Sequence, residues 1–75
     1  MNLRVNGQIK APEVRVIWEE GSDVGVFTLT DAFAWVARVR LDLIEIGPWS
    51  VPPICLVIDY GMYRWNLAQA DMVIR

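Results

Sequence analysis

Histidine is absent from this chain, and cysteine and lysine occur once each, as Cys55 and Lys10. A lone thiol closes no intramolecular disulfide, and without histidine a structural zinc site is nearly excluded. With 7 Lys and Arg against 9 Asp and Glu, the formal net charge is −2. That balance argues against strong non-specific nucleic-acid binding, which draws on concentrated cations. No apolar run approaches the roughly 18 residues of a membrane span, and the polar N-terminus does not read as a signal peptide. A reducing, cytoplasmic setting is the expectation.

Catalytic patterns are missing too. No G-x-x-x-x-G-K-[ST] phosphate loop is present, and Ser22 and Ser50 stand in turn-like contexts with no base beside them. Glu19 and Glu20 fall in a hairpin turn, while Asp42 and Glu45 flank a strand. A paired-carboxylate site needs two groups converging in a cleft, so these read as solvated or capping groups. The expectation is a non-enzyme with no cofactor, no metal and no small-molecule substrate.

What the chain does have is apolar residues, 55% of its 75 positions, with four tryptophans among them. A domain this small has a high ratio of surface to volume, so part of that apolar surface is expected to stay outside the core. Exposed contiguous apolar surface usually marks a partner or an aggregation liability.

Residues 13–17 alternate polar and apolar side chains as a half-buried strand does. Glu19-Glu20-Gly21-Ser22 supplies turn chemistry, and Asp23 to Phe27 reads as the returning strand. A helix start follows at Thr28-Leu29-Thr30-Asp31, with Asp31 placed where negative charge suits the helix dipole. That helix runs to about Arg40, with Ala32, Phe33, Val36 and Val39 as its core-facing stripe. Strands are expected at Asp42–Ile46 and Ile54–Asp59, separated by a loop with three prolines that rule out regular pairing. From Met62 onward, Tyr63, Leu67, Ala70 and Ile74 share one helical face, widened by Met62, Trp65 and Met72. Such a helix either docks on its own sheet or seeks a partner. The fold class is therefore α+β, a four-stranded mixed sheet with one helix packed on a face and a C-terminal helix, in the order β-β-α-β-β-α. One domain covers residues 1–75, its sheet and first helix spanning about 4–61 and the last helix about 62–74.

Three segments carry a resemblance: Arg4-Val5-Asn6-Gly7-Gln8-Ile9, Leu41-Asp42-Leu43-Ile44-Glu45-Ile46 and Pro52-Pro53-Ile54-Cys55-Leu56-Val57-Ile58-Asp59-Tyr60-Gly61. In this order the chain, from about Arg4 to Trp65, resembles the N-terminal domain of bacterial translation initiation factor three. The resemblance implies the same β-β-α-β-β-α order and contact with the small ribosomal subunit in support of initiator-tRNA selection. It further implies roles for Arg4, Lys10 and Arg15, which match positions where the family tends to carry a base, and for Tyr60 in the Asp-Tyr-Gly before its linker helix.

The departures run one way. Leu56 and Met62 stand where the family usually has Arg and Lys, Trp49-Ser50-Val51 replaces an Asn-Ala-Lys/Glu loop, and Trp18 and Trp35 occupy positions commonly polar or charged. These changes point to a redesigned domain of this type, engineered as a scaffold. It would bind a protein, or a second copy of itself, through Trp18, Trp35, Trp49, Val51, Leu56, Met62, Trp65 and Met72. The alternative is a native ribosome-binding domain acting through Arg4, Lys10, Arg15 and Tyr60.

Overall fold

A computed structural model describes residues 3–74, with side chains described as far as Gln69. In chain order it consists of β1 (Arg4–Val5), a single 3-10 turn (Asn6–Gln8), β2 (Glu13–Trp18), β3 (Asp23–Thr28), α1 (Leu29–Arg38), β4 (Asp42–Gly47), β5 (Ile54–Ile58) and α2 (Tyr60–Ile74). The strands form one sheet in the order β1-β4-β5-β2-β3. Neighbours are antiparallel except β2 and β5, which run parallel.

The class is α+β, as expected, but the sheet has five strands rather than four. The additional one is β1, whose two residues pair Arg4 with Glu45 and Val5 with Ile44. Two residues cannot display an alternating pattern, and this strand exists because β4 offers it an edge.

The hairpin between β2 and β3 turns where Gly21 has φ 96, a conformation glycine adopts without steric cost. Trp18 N–H donates to the Ser22 carbonyl at 2.9 Å and Gly21 N–H to the Trp18 carbonyl at 2.8 Å, closing the turn. Thr28 then caps α1, its Oγ1 accepting from Asp31 N–H at 3.1 Å. The helix crosses β2 and β5 to connect β3 with β4, burying Ala32 and Val36 against the sheet.

The helix α1 ends at Arg38, two residues earlier than its pattern suggests, in a Schellman motif. Arg40 N–H bonds the Ala37 carbonyl and Leu41 N–H the Val36 carbonyl, both at 3.2 Å. Arg40 takes the left-handed position with φ 58, usually held by glycine.

Two apolar clusters flank the sheet. Under α1 lie Val14, Val16, Leu43, Cys55 and Val57, each at most 1% exposed. Fully burying an aliphatic side chain of this size contributes roughly 2 kcal/mol. On the other face Ile44, Leu56 and Ile58 pack with Val5, Tyr60 and Tyr63. Among the described side chains of α2, only those of Tyr60 and Tyr63 at its start serve this second cluster. From Arg64 to Ala68 every α2 side chain is exposed, and β4 is the one strand the helix packs against substantially among the described residues. Over its described side chains from Arg64 to Ala68, the C-terminal helix therefore does not lie down on the sheet.

Candidate functional site

The cationic candidates stand apart: Arg4 and Arg15 are on opposite faces of the sheet, and Lys10 is in the segment before β2. Arg4, Glu45, Cys55 and Val16 form one row across β1, β4, β5 and β2, on the face that α1 covers. Arg4 Nη1 donates to Glu45 Oε1 at 2.6 Å, which pairs a 57% exposed guanidinium with a carboxylate only 5% exposed. The expectation that Glu45 is a solvated group is thus corrected: the sheet buries it, and Arg4 neutralises it. Beside it, burial first and the Glu45 charge second push the Cys55 thiol up from its ordinary 9.0 to about 12.

Arg15 neighbours Val16 on β2 and so projects to the opposite face from Arg4. There Arg15 Nη1 meets Asp23 Oδ2 at 2.8 Å on the adjacent strand. Lys10 is exposed, its Nζ 3.5 Å from the Gly7 carbonyl. Tyr60 also belongs to the Arg15 face, where its ring stacks against Tyr63 with centroids 6.5 Å apart. The Arg64 guanidinium lies 5.9 Å from the Tyr60 ring centre, so two aromatic rings and a cation share the first turns of α2.

The apolar candidates do not form one face. Trp18 and Trp35 pack against the cluster under α1, their rings edge to face at 5.3 Å, and Trp35 stacks on Phe27 at 6.5 Å. Leu56 is 8% exposed and sits in the cluster on the other side of the sheet. Trp49 and Val51 stand out at the β4–β5 loop, 80% and 97% exposed. Met62 and Trp65 are exposed on α2, and the Met72 side chain lies outside the described residues. An open groove of about 240 Å³ runs past the ends of β2 and β5, between Trp18, Leu41, Met62 and the carboxylates of Glu19, Glu20 and Asp59.

A junction that sequence reasoning missed ties the two ends of the domain together. Asp42 Oδ1 accepts from Asn6 Nδ2, and Asp42 Oδ2 accepts from Tyr60 N–H at the start of α2, both at 2.9 Å. Asn6 Oδ1 in turn accepts from Leu43 N–H at 2.9 Å. Asp59 caps α2 through its Oδ1, 3.1 Å from Met62 N–H, so Gly61 falls inside the first turn and the helix starts two residues before Met62. The one sequence signal for the junction was Asn6-Gly7, a dipeptide tolerant of left-handed backbone, which Asn6 adopts with φ 49.

Among the described residues no three His, Cys, Asp or Glu side chains converge to hold a metal ion. Among the described residues no helix is long and apolar enough to cross a membrane.

Comparison with known proteins shows the family and bears on the two functional expectations. The family model for the N-terminal domain of translation initiation factor IF-3 matches residues 5–71. The chain is 39% identical over 71 residues to translation initiation factor IF-3 of Chlamydia trachomatis, covering 95% of this chain and 41% of that protein. Against the factor of Mycobacterium leprae it is 44% identical over 66 residues, 88% of this chain and 33% of the relative. Against that of Borrelia turicatae it is 48% identical over 64 residues, 85% and 34% of the two chains. The chain thus spans well under half the length of these relatives.

These matches overturn the expectation of a redesigned scaffold binding a protein or itself through a Trp- and Met-rich patch. The physical ground agrees, since the substitutions that suggested an installed patch are divided between two clusters, a loop tip and a helix. The chain belongs to the translation initiation factor IF-3 N-terminal domain family.

Proposed function

We propose that this domain binds the small ribosomal subunit and takes part in initiator-tRNA selection, within a translation initiation factor. The observation that carries the reading is the family match across residues 5–71. Side-chain chemistry supports it. Tyr60, Tyr63 and Arg64 offer stacking surface and a cation together, the combination that receives unpaired nucleotides. Exposed Lys10 and half-exposed Arg15 provide phosphate contacts, and Arg4 keeps further guanidinium donors beyond the one given to Glu45. Because Arg4 and Arg15 are already paired with carboxylates, the domain is expected to neutralise few phosphates and to show a shallow salt dependence.

Co-sedimentation with purified small ribosomal subunits over a salt series tests this. Binding at low salt that weakens with added salt is expected, and Lys10→Glu should flatten the slope by about one unit. Failure to co-sediment at low salt, with the chain folded, sinks the reading.

A further inference from the structure

The direction of α2 needs an explanation, because packing alone does little to fix it. Gly61 and Met62 in its first turn are already exposed, and among the described side chains of the helix Tyr60 and Tyr63 are the ones that pack into the sheet's cluster. The cap from Asp59 is local and holds the first turn together without relating it to anything else. The polar contact that ties the helix start to a distant element is Asp42 Oδ2, which receives Tyr60 N–H. No acidic residue lies in the first turn of α2, so Asp42 on β4 and the cap Asp59 place negative charge at that helix terminus.

Asp42 is itself held by the N-terminal turn. Its other oxygen takes Asn6 Nδ2, and Asn6 is fixed in turn by Leu43 N–H on its side-chain oxygen. The Asn6 carbonyl accepts from Ile9 N–H at 2.9 Å, and Gln8 Oε1 accepts from Val5 N–H at 2.9 Å. With φ 49, Asn6 is in the left-handed region that asparagine tolerates, and these bonds hold it there. One carboxylate therefore has one oxygen on the N-terminal turn and the other on the C-terminal helix.

We propose that Asp42 is a positioning residue that couples the conformation of the Asn6 turn to the direction in which α2 leaves the sheet. A ligand that rearranges the Asn6 turn would redirect α2 and the side chains it carries, Arg64 and Trp65 among them. A ligand that pulls on α2 would disturb the Asn6 turn by the same coupling free energy, because linkage is reciprocal. The coupling is a property of the folded chain, whatever binds to it.

The variant of choice is Asn6→Gly, since glycine keeps the left-handed backbone while removing the bond to Asp42. Backbone residual dipolar couplings, measured on the labelled chain in a weakly aligned medium, report the angle between helix and sheet. In Asn6→Gly the sheet couplings should fit a single orientation while those of Gly61 to Leu67 no longer fit it. The Tyr60 amide should exchange about fivefold faster. Asp59→Ala, which removes the local bond to Met62 N–H and leaves Tyr60 N–H on Asp42, should keep the helix direction and leave the Asn6 and Leu43 resonances in place. A lowered melting temperature in Asn6→Gly with α2 still fitting the sheet orientation would overturn the proposal, because Asn6 would then be a structural residue without influence on the helix.

Discussion

The guanidinium Nη1 of Arg4 lies 2.6 Å from Oε1 of Glu45, so a cation on a two-residue edge strand neutralises the buried carboxylate of the strand beside it. This pair explains how so short a strand holds its place: peeling β1 away would leave a charge in the sheet without a partner. Arg4→Ala should therefore destabilise the chain by about 2 kcal/mol, less than a fully buried pair because water can reach the exposed guanidinium. Replacing both partners, as Arg4→Met with Glu45→Leu, should recover most of that loss. Urea unfolding midpoints check it, and a double variant no better than Arg4→Ala refutes the account.

Trp18 and Trp35 meet edge to face across the hairpin and α1. Each was expected at the surface, and each instead gives the other an aromatic neighbour. A double-mutant cycle with Trp18→Leu and Trp35→Leu should return a coupling of about 1 kcal/mol. Additive losses would mean that the rings pack independently.

Much of the fold was legible because periodicity reports burial. Val14 and Val16 alternate as a half-buried strand, and Ala32 and Val36 recur at helical spacing. The illegible parts depend on pairing across long separations. Arg4 is 41 residues from Glu45 and Asn6 is 36 residues from Asp42, distances over which no local pattern speaks. The site was harder still. A tryptophan looks the same in sequence whether it faces solvent, as Trp49 does, or a second tryptophan, as Trp18 does. Residues common to the family identify the chain, whereas its departures suggest a partner-binding patch until their positions in space divide them between two clusters, a loop tip and a helix.

Arg40 holds the left-handed position of the α1 terminus with a full side chain, where glycine meets no Cβ penalty. Arg40→Gly should stabilise the chain by about 1 kcal/mol. The expected observation is a higher denaturant midpoint with an unchanged slope. A lower midpoint would show that the Arg40 side chain contributes more than its backbone conformation costs.

Cys55 provides the pH prediction, and its sign follows from which form is charged. The folded thiol stays protonated up to about 12, whereas the unfolded thiol titrates at 9.0, because burial and the neighbouring Glu45 disfavour the thiolate. Between those values the folded chain binds the proton that the unfolded chain releases, so stability falls as pH rises. The contribution is fully present below pH 9.0 and is lost through the window up to about 12. Its slope approaches about 1.4 kcal/mol per pH unit. Cys55→Ala lacks the group, so comparing its unfolding free energy with that of the parent across this window isolates the effect from the other titrating side chains. The parent should lose stability more steeply, and parallel curves would refute the assignment. The same burial predicts that iodoacetamide at pH 8 labels Cys55 only in denaturant, since the attacking thiolate is scarce and covered in the folded chain. Labelling of the native chain at the rate of a free thiol would show that the sheet opens at β5 far more often than its packing allows.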